Sequence, residues 1–396
     1  MPMPQGPHLL DVSMFWGPTG GVRRVLTAKQ MLFTRQGWRH TVMAPGVQGR
    51  ERIDCGGVWL PASDGYRAVL RRQHAARLIE QARPDIVEAA DPYTLAWSVL
   101  DASRRLGIPS VAFCHSNLPA LAARWAGGAG GGHTRRAALA ARAAERYLAR
   151  LYGRFDLVLA PNHGLAQQLR DWGVPRVSHQ GLGVDSAVFT PAAADPAWRW
   201  CLEQKLQLPA GTRLLVYSGR FATEKNLQVL ADAVELLGPR YALLAIGSGP
   251  TPPRGPRVHL LPLEPDSGRL ARLVASCDAY VHAGDQETFG LGVLEAMACG
   301  TPVVGSSAGG VGELVGGAGQ GVDGLRAADW ACAIEASVEG PPSVSTGLAL
   351  RRARAHDWSR VFEQLSQRYI GLLRRHALTA MQAQQLVHGV PGALSA

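Results

Sequence analysis

The chain predicts an α/β fold made of two successive parallel-sheet units, and three observations carry that expectation. Short apolar runs of strand length recur with helical segments between many of them, an order that lays strands parallel and covers both sheet faces with helices. A Pro/Ala-rich run ending at Pro196 separates two such series. A chain of 396 residues is also long for one hydrophobic core.

The first series opens with a strand over His8 to Met14 and the loop Phe15-Trp-Gly-Pro-Thr-Gly20-Gly21. Val22, Val25, Leu26, Met31 and Leu32 then fall largely on one helical face as far as about Gly37. Strand, glycine turn and helix let backbone N–H groups approach a phosphate, although an ordinary tight turn uses the same residues. Further strands are expected at Thr41 to Ala44, Val58 to Pro61, Asp85 to Ala89, Ser110 to His115 and Asp156 to Ala160. Helices are expected at Tyr66 to Gln81, Leu95 to Leu106 and Thr134 to Leu151.

In such sheets ligands gather at the carboxyl ends of the strands. His115 stands at one such end, and Asp91, just past another, is a candidate to face an acceptor. Gly127 to Gly132 reads as a glycine-rich mobile spacer. Beyond it, Arg142, Arg146 and Arg150 repeat every fourth residue and stack along one side of a helix. That face suits water, and it equally suits an anionic lipid surface.

The second series begins at Arg213-Leu-Leu-Val-Tyr-Ser-Gly-Arg220, with more strands at Tyr241 to Ile246 and Val258 to Leu261. An apolar strand, Ala279 to Ala283, then leads through glycines into a helix-forming segment ending at Gly300-Thr-Pro302. Glu287 and Glu295 flank the start of that helix, ~12 Å apart if the whole step were helical. Helix-start amides at Phe289, Gly290 and Leu291 attract phosphate, because these donors lack intrahelical partners. A carboxylate instead suits a sugar diol, so acids on both sides imply hydroxyl-bearing groups at both ends of a diphosphate. A nucleoside-diphosphate sugar is such a molecule. A strand at Pro302 to Gly305 and the loop Ser306-Ser-Ala-Gly-Gly-Val-Gly-Glu313 follow, and Asp357-Trp358 opens an amphipathic helix to about Arg375.

These residues carry a family resemblance. Glu287-Thr-Phe-Gly-Leu-Gly-Val-Leu-Glu295 with Ala-Met-Ala-Cys-Gly-Thr-Pro-Val-Val resembles the Glu-x7-Glu signature of retaining GT-B glycosyltransferases, specifically glycosyltransferase family 4. Gly20-Gly21-Val22, Arg220-Phe-Ala-Thr-Glu-Lys225-Asn226, Gly183-Val-Asp185 with Phe189-Thr-Pro191, and Gly309-Gly310 with Glu313 resemble the family's other motifs. The family's Gly-x-Leu-x-x-Pro segment is degenerate here, over Gly316 to Arg326.

The resemblance implies two Rossmann-like domains whose parallel sheets face each other across a cleft. The expected divisions are an acceptor domain over 1–190, a nucleotide-sugar domain over 191–356, a crossover helix over 357–378 returning to the first domain, and a loose tail over 379–396. It implies retaining transfer of a hexose from a UDP-glucose-type sugar or GDP-mannose to a hydroxyl acceptor, a membrane lipid or lipid-linked glycan, with neither metal nor cofactor. His115, Arg220, Lys225 and Glu287 would be catalytic. Gly20, Gly21, Phe289, Gly290, Leu291 and Glu295 would bind the donor, with Glu287 on the sugar and Glu295 on the ribose.

Composition sets bounds. Hydrophobic residues make up 46% and charged residues 18%, ordinary globular material. No apolar run approaches the ~20 residues of a membrane helix. Prolines near the N-terminus stand where a secretory signal has a basic region. Six cysteines without Cys-x-x-Cys or His-paired spacing fit reduced thiols in the cytoplasm and argue against structural zinc. The charge of +10 calls for an anionic partner or reflects compositional bias, since the only lysines are Lys29, Lys205 and Lys225. The expected place is therefore the cytoplasm, peripheral on the inner face of the membrane. No RNA-binding signature supports a nucleic-acid-binding protein, the second alternative. The first, a catalytically silent nucleotide-sugar-binding protein, would bind donor without turnover.

Overall fold

The computed structural model describes residues 6–17, 20–59, 66–127, 134–340 and 344–388. The first unit runs β1 (His8–Val12), α1 (Gly21–Arg35), β2 (Arg39–Ala44), β3 (Arg52–Asp54), β4 (Val58–Trp59), β5 (Arg67–Ala68), α2 (Arg72–Ala82), β6 (Ile86–Ala89), α3 (Thr94–Leu106) and β7 (Ser110–Phe113). It continues with α4 (Leu118–Gly127), α5 (Arg135–Tyr152), β8 (Leu157–Ala160), α6 (His163–Asp171) and β9 (Val177–His179). Its seven strands lie in the order β3-β2-β1-β6-β7-β8-β9, all parallel. Every residue of β1 is buried, as a central strand covered on both faces requires.

The second unit runs α7 (Pro196–Lys205), β10 (Arg213–Ser218), α8 (Leu227–Leu237), β11 (Tyr241–Ile246), β12 (Val258–Leu261), α9 (Ser267–Ala275), β13 (Ala279–His282) and α10 (Leu291–Ala298). Next come β14 (Val303–Ser306), α11 (Gly309–Val315), β15 (Gln320–Val322), α12 (Ala327–Glu339), α13 (Val344–Ala355) and α14 (Trp358–His388). Its six strands are also parallel, in the order β12-β11-β10-β13-β14-β15. The strand order reverses direction between β1 and β6 in one sheet and between β10 and β13 in the other. At such switch points the following loops diverge and open a crevice for ligand.

Two chain segments connect the units side by side. Val184 N–H donates to the His356 carbonyl at 2.9 Å, and Trp358 N–H donates to the Val184 carbonyl at 3.0 Å. Gly183 permits this approach, because a Cβ there would lie 2.6 Å from the Trp358 ring and 2.8 Å from the His356 carbonyl. One apolar cluster continues from Leu9 and Val111 through Leu182, Val184 and Phe189 to Val216, Leu294 and Phe362.

α14 returns to the first unit and docks on α1, where Phe33 packs against Phe362 and Tyr369. Beneath that contact Lys29, 1% exposed, donates to Asp11 at 2.8 Å, to Glu88 at 2.8 Å and to the Tyr369 hydroxyl at 3.0 Å. His40 pairs with the other Asp11 oxygen at 2.6 Å. Burial pushes the Glu88 carboxyl up, whereas Lys29 and His40 overcome burial to hold Asp11 well below the usual carboxylate range.

Four sequence expectations change. Val58 to Pro61 and the start of Tyr66 to Gln81 do not join sheet and helix as expected: Val58–Trp59 and Arg67–Ala68 pair antiparallel as a separate ribbon, and α2 starts at Arg72. Pro61 and residues 128–132 of the glycine spacer lie outside the described residues. The degenerate stretch at Gly316 to Arg326 still supplies β15, an edge strand on β14. The tail expected from 379 is helical as far as His388, because 379–388 holds neither Gly nor Pro and is rich in Ala and Gln; residues 389–396 lie outside the described residues.

Replacing Lys29 by Met leaves two buried carboxylates without their cation. The Lys29→Met variant should lose about 3–5 kcal/mol of stability in urea unfolding; a loss below about 1 kcal/mol would show that the buried pairs are not what holds α14 to α1.

Candidate active site

The loop after β10 supplies the cations. Gly219 stands at φ +152°, and the chain then makes a short turn over Thr223–Lys225 that ends at Asn226 in the left-handed region, φ 52°. The Asn226 amide secures this turn by donating to the Ala283 carbonyl at 3.0 Å and to Asp285 at 3.2 Å. Lys225 is thereby carried to the loop after β13, where its ammonium pairs with the Glu287 carboxylate. Arg220 pairs with Glu224 on the same turn.

Glu287, with its side chain 20% exposed, has a second partner in His282 at 3.4 Å. Gly284 N–H donates to His282 Nδ1 at 3.2 Å, so that nitrogen is an acceptor and Nε2 carries the hydrogen aimed at Glu287. Burial alone would raise the Glu287 pKa, but Lys225 and His282 outweigh it and hold the carboxyl far below its ordinary range. The group stays an acceptor at any physiological pH.

Gly290, at φ 98°, turns the chain into α10, whose start has no side-chain cap. The amides at Phe289 to Leu291 thus have no side-chain cap, the condition under which a helix start attracts an anion. The glycines around them are sterically required. A Cβ on Gly292 would lie 2.2 Å from the Tyr280 hydroxyl, and one on Gly310 would lie 2.5 Å from the Phe289 backbone. Gly310 N–H also donates to the Glu287 carbonyl at 2.8 Å, which fixes the loop from the α11 side.

The first unit closes over this loop. The Asn162 amide donates to the Thr288 carbonyl at 2.6 Å, and the Thr288 hydroxyl donates to the His115 carbonyl at 2.8 Å. His115 stacks on Phe113 with ring centroids 4.1 Å apart. Its Nε2 is buried without a hydrogen-bond partner, and burial pushes its pKa down to about 3, so the ring is neutral. Gly20 caps α1 without a side-chain bond, and a Cβ on Gly21 would come 3.4 Å from Leu291, so the glycine loop of one unit abuts the helix start of the other. Arg24, in the first turns of α1, forms an ion pair with Glu295, 4% exposed, on α10. Burial raises the Glu295 pKa, with Arg24 opposing.

The fold thus gathers Gly20, Gly21, His115, Lys225, Glu287, Phe289, Gly290, Leu291 and Glu295 about one crevice, with Arg220 on the same turn as Lys225. Asp91, expected to face an acceptor, is instead 1% exposed; its two oxygens accept from the Met14 N–H at 2.6 Å and the Tyr93 N–H at 3.1 Å. It braces the loops after β1 and β6, and burial raises its pKa to about 6. Arg142, Arg146 and Arg150 lie exposed on α5, with Leu139 on the same helix 65% exposed and Trp125 on the adjoining α4 73% exposed. Among the described residues no helix is long and apolar enough to cross a membrane. Sequence reading missed His282, Arg24, Thr288 and Asn162. Only His282 left a signal, as a strand-end histidine five residues before an assigned acid. Nor did sequence reading bring together His163, His179 and Glu313, whose side-chain N and O atoms lie within 4.8 Å of one another.

Two parallel sheets meeting at a crevice, bridged by a returning helix, define the GT-B class of glycosyltransferases. The chain belongs to glycosyltransferase family 4: the Glycosyltransferase Family 4 profile matches residues 19–188 and the Glycosyl transferases group 1 profile matches residues 212–339. A GDP-mannose-dependent alpha-mannosyltransferase of Mycolicibacterium smegmatis is 33% identical over 309 residues, 75% of this chain and 76% of the relative. A GDP-mannose-dependent alpha-(1-6)-phosphatidylinositol dimannoside mannosyltransferase of Mycobacterium tuberculosis is 28% identical over 377 residues, 89% and 93% of the two chains. In fold, the chain is similar to sucrose-phosphate synthase from Thermosynechococcus elongatus, with a TM-score of 0.73 at 19% identity over 93% of this chain and 100% of that one. It is likewise similar to the Anabaena protein HepE in complex with UDP-glucose, with a TM-score of 0.71 at 18% identity over 92% and 100%.

Removing the Lys225 charge leaves burial as the main influence on Glu287, so its pKa must rise. In Lys225→Met the acidic limb of donor binding, followed by titration calorimetry across pH, should move up by about one unit or more. An unmoved limb would mean that Lys225 does not keep Glu287 ionised.

Proposed function

We propose that this glycosyltransferase is a retaining enzyme that transfers mannose from GDP-mannose to a hydroxyl of a lipid-borne acceptor at a membrane surface. The pairing of Lys225 with Glu287 beneath the open start of α10 carries the reading. A sugar diphosphate presents hydroxyls to the ionised acid, and its phosphates meet the ammonium and the amides of Phe289 to Leu291. GDP-mannose is chosen over a UDP-sugar because two relatives spanning most of the chain are named for it.

In the proposed reaction the bond from the anomeric carbon to the phosphate oxygen breaks while the acceptor oxygen approaches the same face. The acceptor proton passes to the departing phosphate. Arg220 and Lys225 stabilise the charge that grows there, the part a metal ion plays in other phosphate chemistry, and no cofactor is called for. Fixed cations are worth most where water is excluded. Glu287 orients the sugar. Neutral His115 sits at the roof, able to donate or accept a hydrogen bond but not to add a charge. Glu295 takes the ribose once Arg24 swings aside.

The exposed arginines of α5, with Leu139 and Trp125 beside them, support peripheral attachment to anionic lipid on the cytoplasmic face. Each basic residue near such a surface contributes about 1 kcal/mol. A phosphatidylinositol-type acceptor accords with the name of one relative.

The test is a donor-hydrolysis and transfer screen with GDP-mannose and UDP-glucose, with and without anionic liposomes. GDP-mannose should turn over, faster with liposomes; preference for UDP-glucose would overturn the donor assignment, and binding without turnover would make the chain a silent binder. Glu287→Ala should lose transfer by about a thousandfold or more with circular dichroism unchanged. Reversing Arg142, Arg146 and Arg150 to Glu should abolish liposome sedimentation while leaving hydrolysis of free donor intact.

A further inference from the structure

A second cluster of functional side chains lies where α6 and β9 of the first unit meet α11 of the second. Glu313 reaches across to the start of α6, accepting from the His163 N–H at 2.8 Å and pairing with His163 Nδ1 at 2.6 Å. The His163 and His179 rings stack with centroids 3.8 Å apart and planes 26° from parallel. The three side chains offer one ligand atom each within 4.8 Å of the others, and among the described residues no other trio of His, Cys, Asp or Glu converges in this way. They line a cavity of about 320 Å³ together with His356, Asn162 and Arg352.

The surroundings orient these groups as the outer partners of a metal site do. Asn162 caps α6 through the Leu165 N–H at 2.6 Å and so fixes the position of His163. Arg352 turns its guanidinium away to the carbonyls of Glu313 at 3.3 Å and Gly316 at 2.9 Å, which pins the α11 segment without neutralising the carboxylate. Two imidazoles and one carboxylate are the donor set of a borderline-soft divalent ion, and a tetrahedral zinc sets such ligands about 3.3 Å from one another; to reach it, His163 and Glu313 open from 2.6 Å and the His179 ring turns out of its stack on His163.

We propose that His163, His179 and Glu313 form a binding site for a divalent ion of the zinc class that clamps the two units together. The ion takes the position of the hydrogen shared by His163 Nδ1 and Glu313; that proton moves to Nε2 of the same ring, so the neutral imidazole binds through its lone pair. A water fills the fourth place, with His356 facing the same cavity. The same cavity borders Phe289 and Gly310 of the donor loop, but the three ligands are not among the residues assigned to transfer and the proposal does not rest on that assignment.

The experiment is a titration of the chelator-treated full-length chain with Co²⁺ alone, read by visible absorption, then with Zn²⁺ as competitor. The proposal expects one Co²⁺ per chain with tetrahedral d–d bands, displacement by Zn²⁺, and a higher thermal unfolding midpoint with Zn²⁺. His179→Ala and Glu313→Gln should each weaken uptake by about tenfold or more and lose the thermal shift. Glu313→Gln keeps the shape of the side chain, so it decides the matter if His179→Ala does not fold. Failure of the wild-type chain to take up Co²⁺ would overturn the proposal and leave a simple ion pair between the units. Equal uptake by wild type and Glu313→Gln would overturn it too.

Discussion

Glu287 is a carboxylate largely withdrawn from water at the junction of two sheets, and Lys225 and His282, which face it, outweigh its burial and keep it ionised. Much of the surrounding architecture follows from that requirement. Asn226 adopts a left-handed conformation to bring Lys225 into place, and His282 is held in one tautomer by the Gly284 amide. Gly310 presses its backbone against Phe289, so the acid cannot withdraw towards α11. A site arranged in advance in this way does not reorganise when charge develops, which is where electrostatic catalysis gains most.

The two sheets matter because each ends in a switch point, and the loops from both sides build one crevice. Contact between the units is polar at the crevice, through Thr288, Asn162, Arg24 and Glu295, and apolar behind it, through Leu182, Val184 and Phe189. The first kind exchanges readily for ligand hydroxyls and phosphates. The second persists, anchored by α14 over the Lys29 network.

The alternation of strands and helices was legible because buried parallel strands are short apolar runs. The candidate site was legible because all of its assigned residues except His115 cluster in three of the family motifs. The lysines were a further sign: in an arginine-biased chain, a compact ammonium fits at Lys29, buried between two carboxylates, and at Lys225, partly buried against Glu287, whereas Lys205 is exposed on α7. What stayed hidden depends on distance through space. Arg24 meets Glu295, and His163 meets Glu313, across a junction that no local spacing encodes. Asp91 sat where a ligand-facing acid is expected, but two backbone amides reach it first, a matter of loop conformation. The ribbon of Val58–Trp59 with Arg67–Ala68 is too short for its periodicity to declare a strand.

The most direct measurement is a structure of the chain with intact GDP-mannose bound. Glu287 should accept hydrogen bonds from the sugar hydroxyls, with Lys225 on the diphosphate, the α10 amides on its oxygens and Arg24 displaced from Glu295 by the ribose. A donor seated elsewhere, with the Lys225–Glu287 and Arg24–Glu295 pairs undisturbed, would contradict the account.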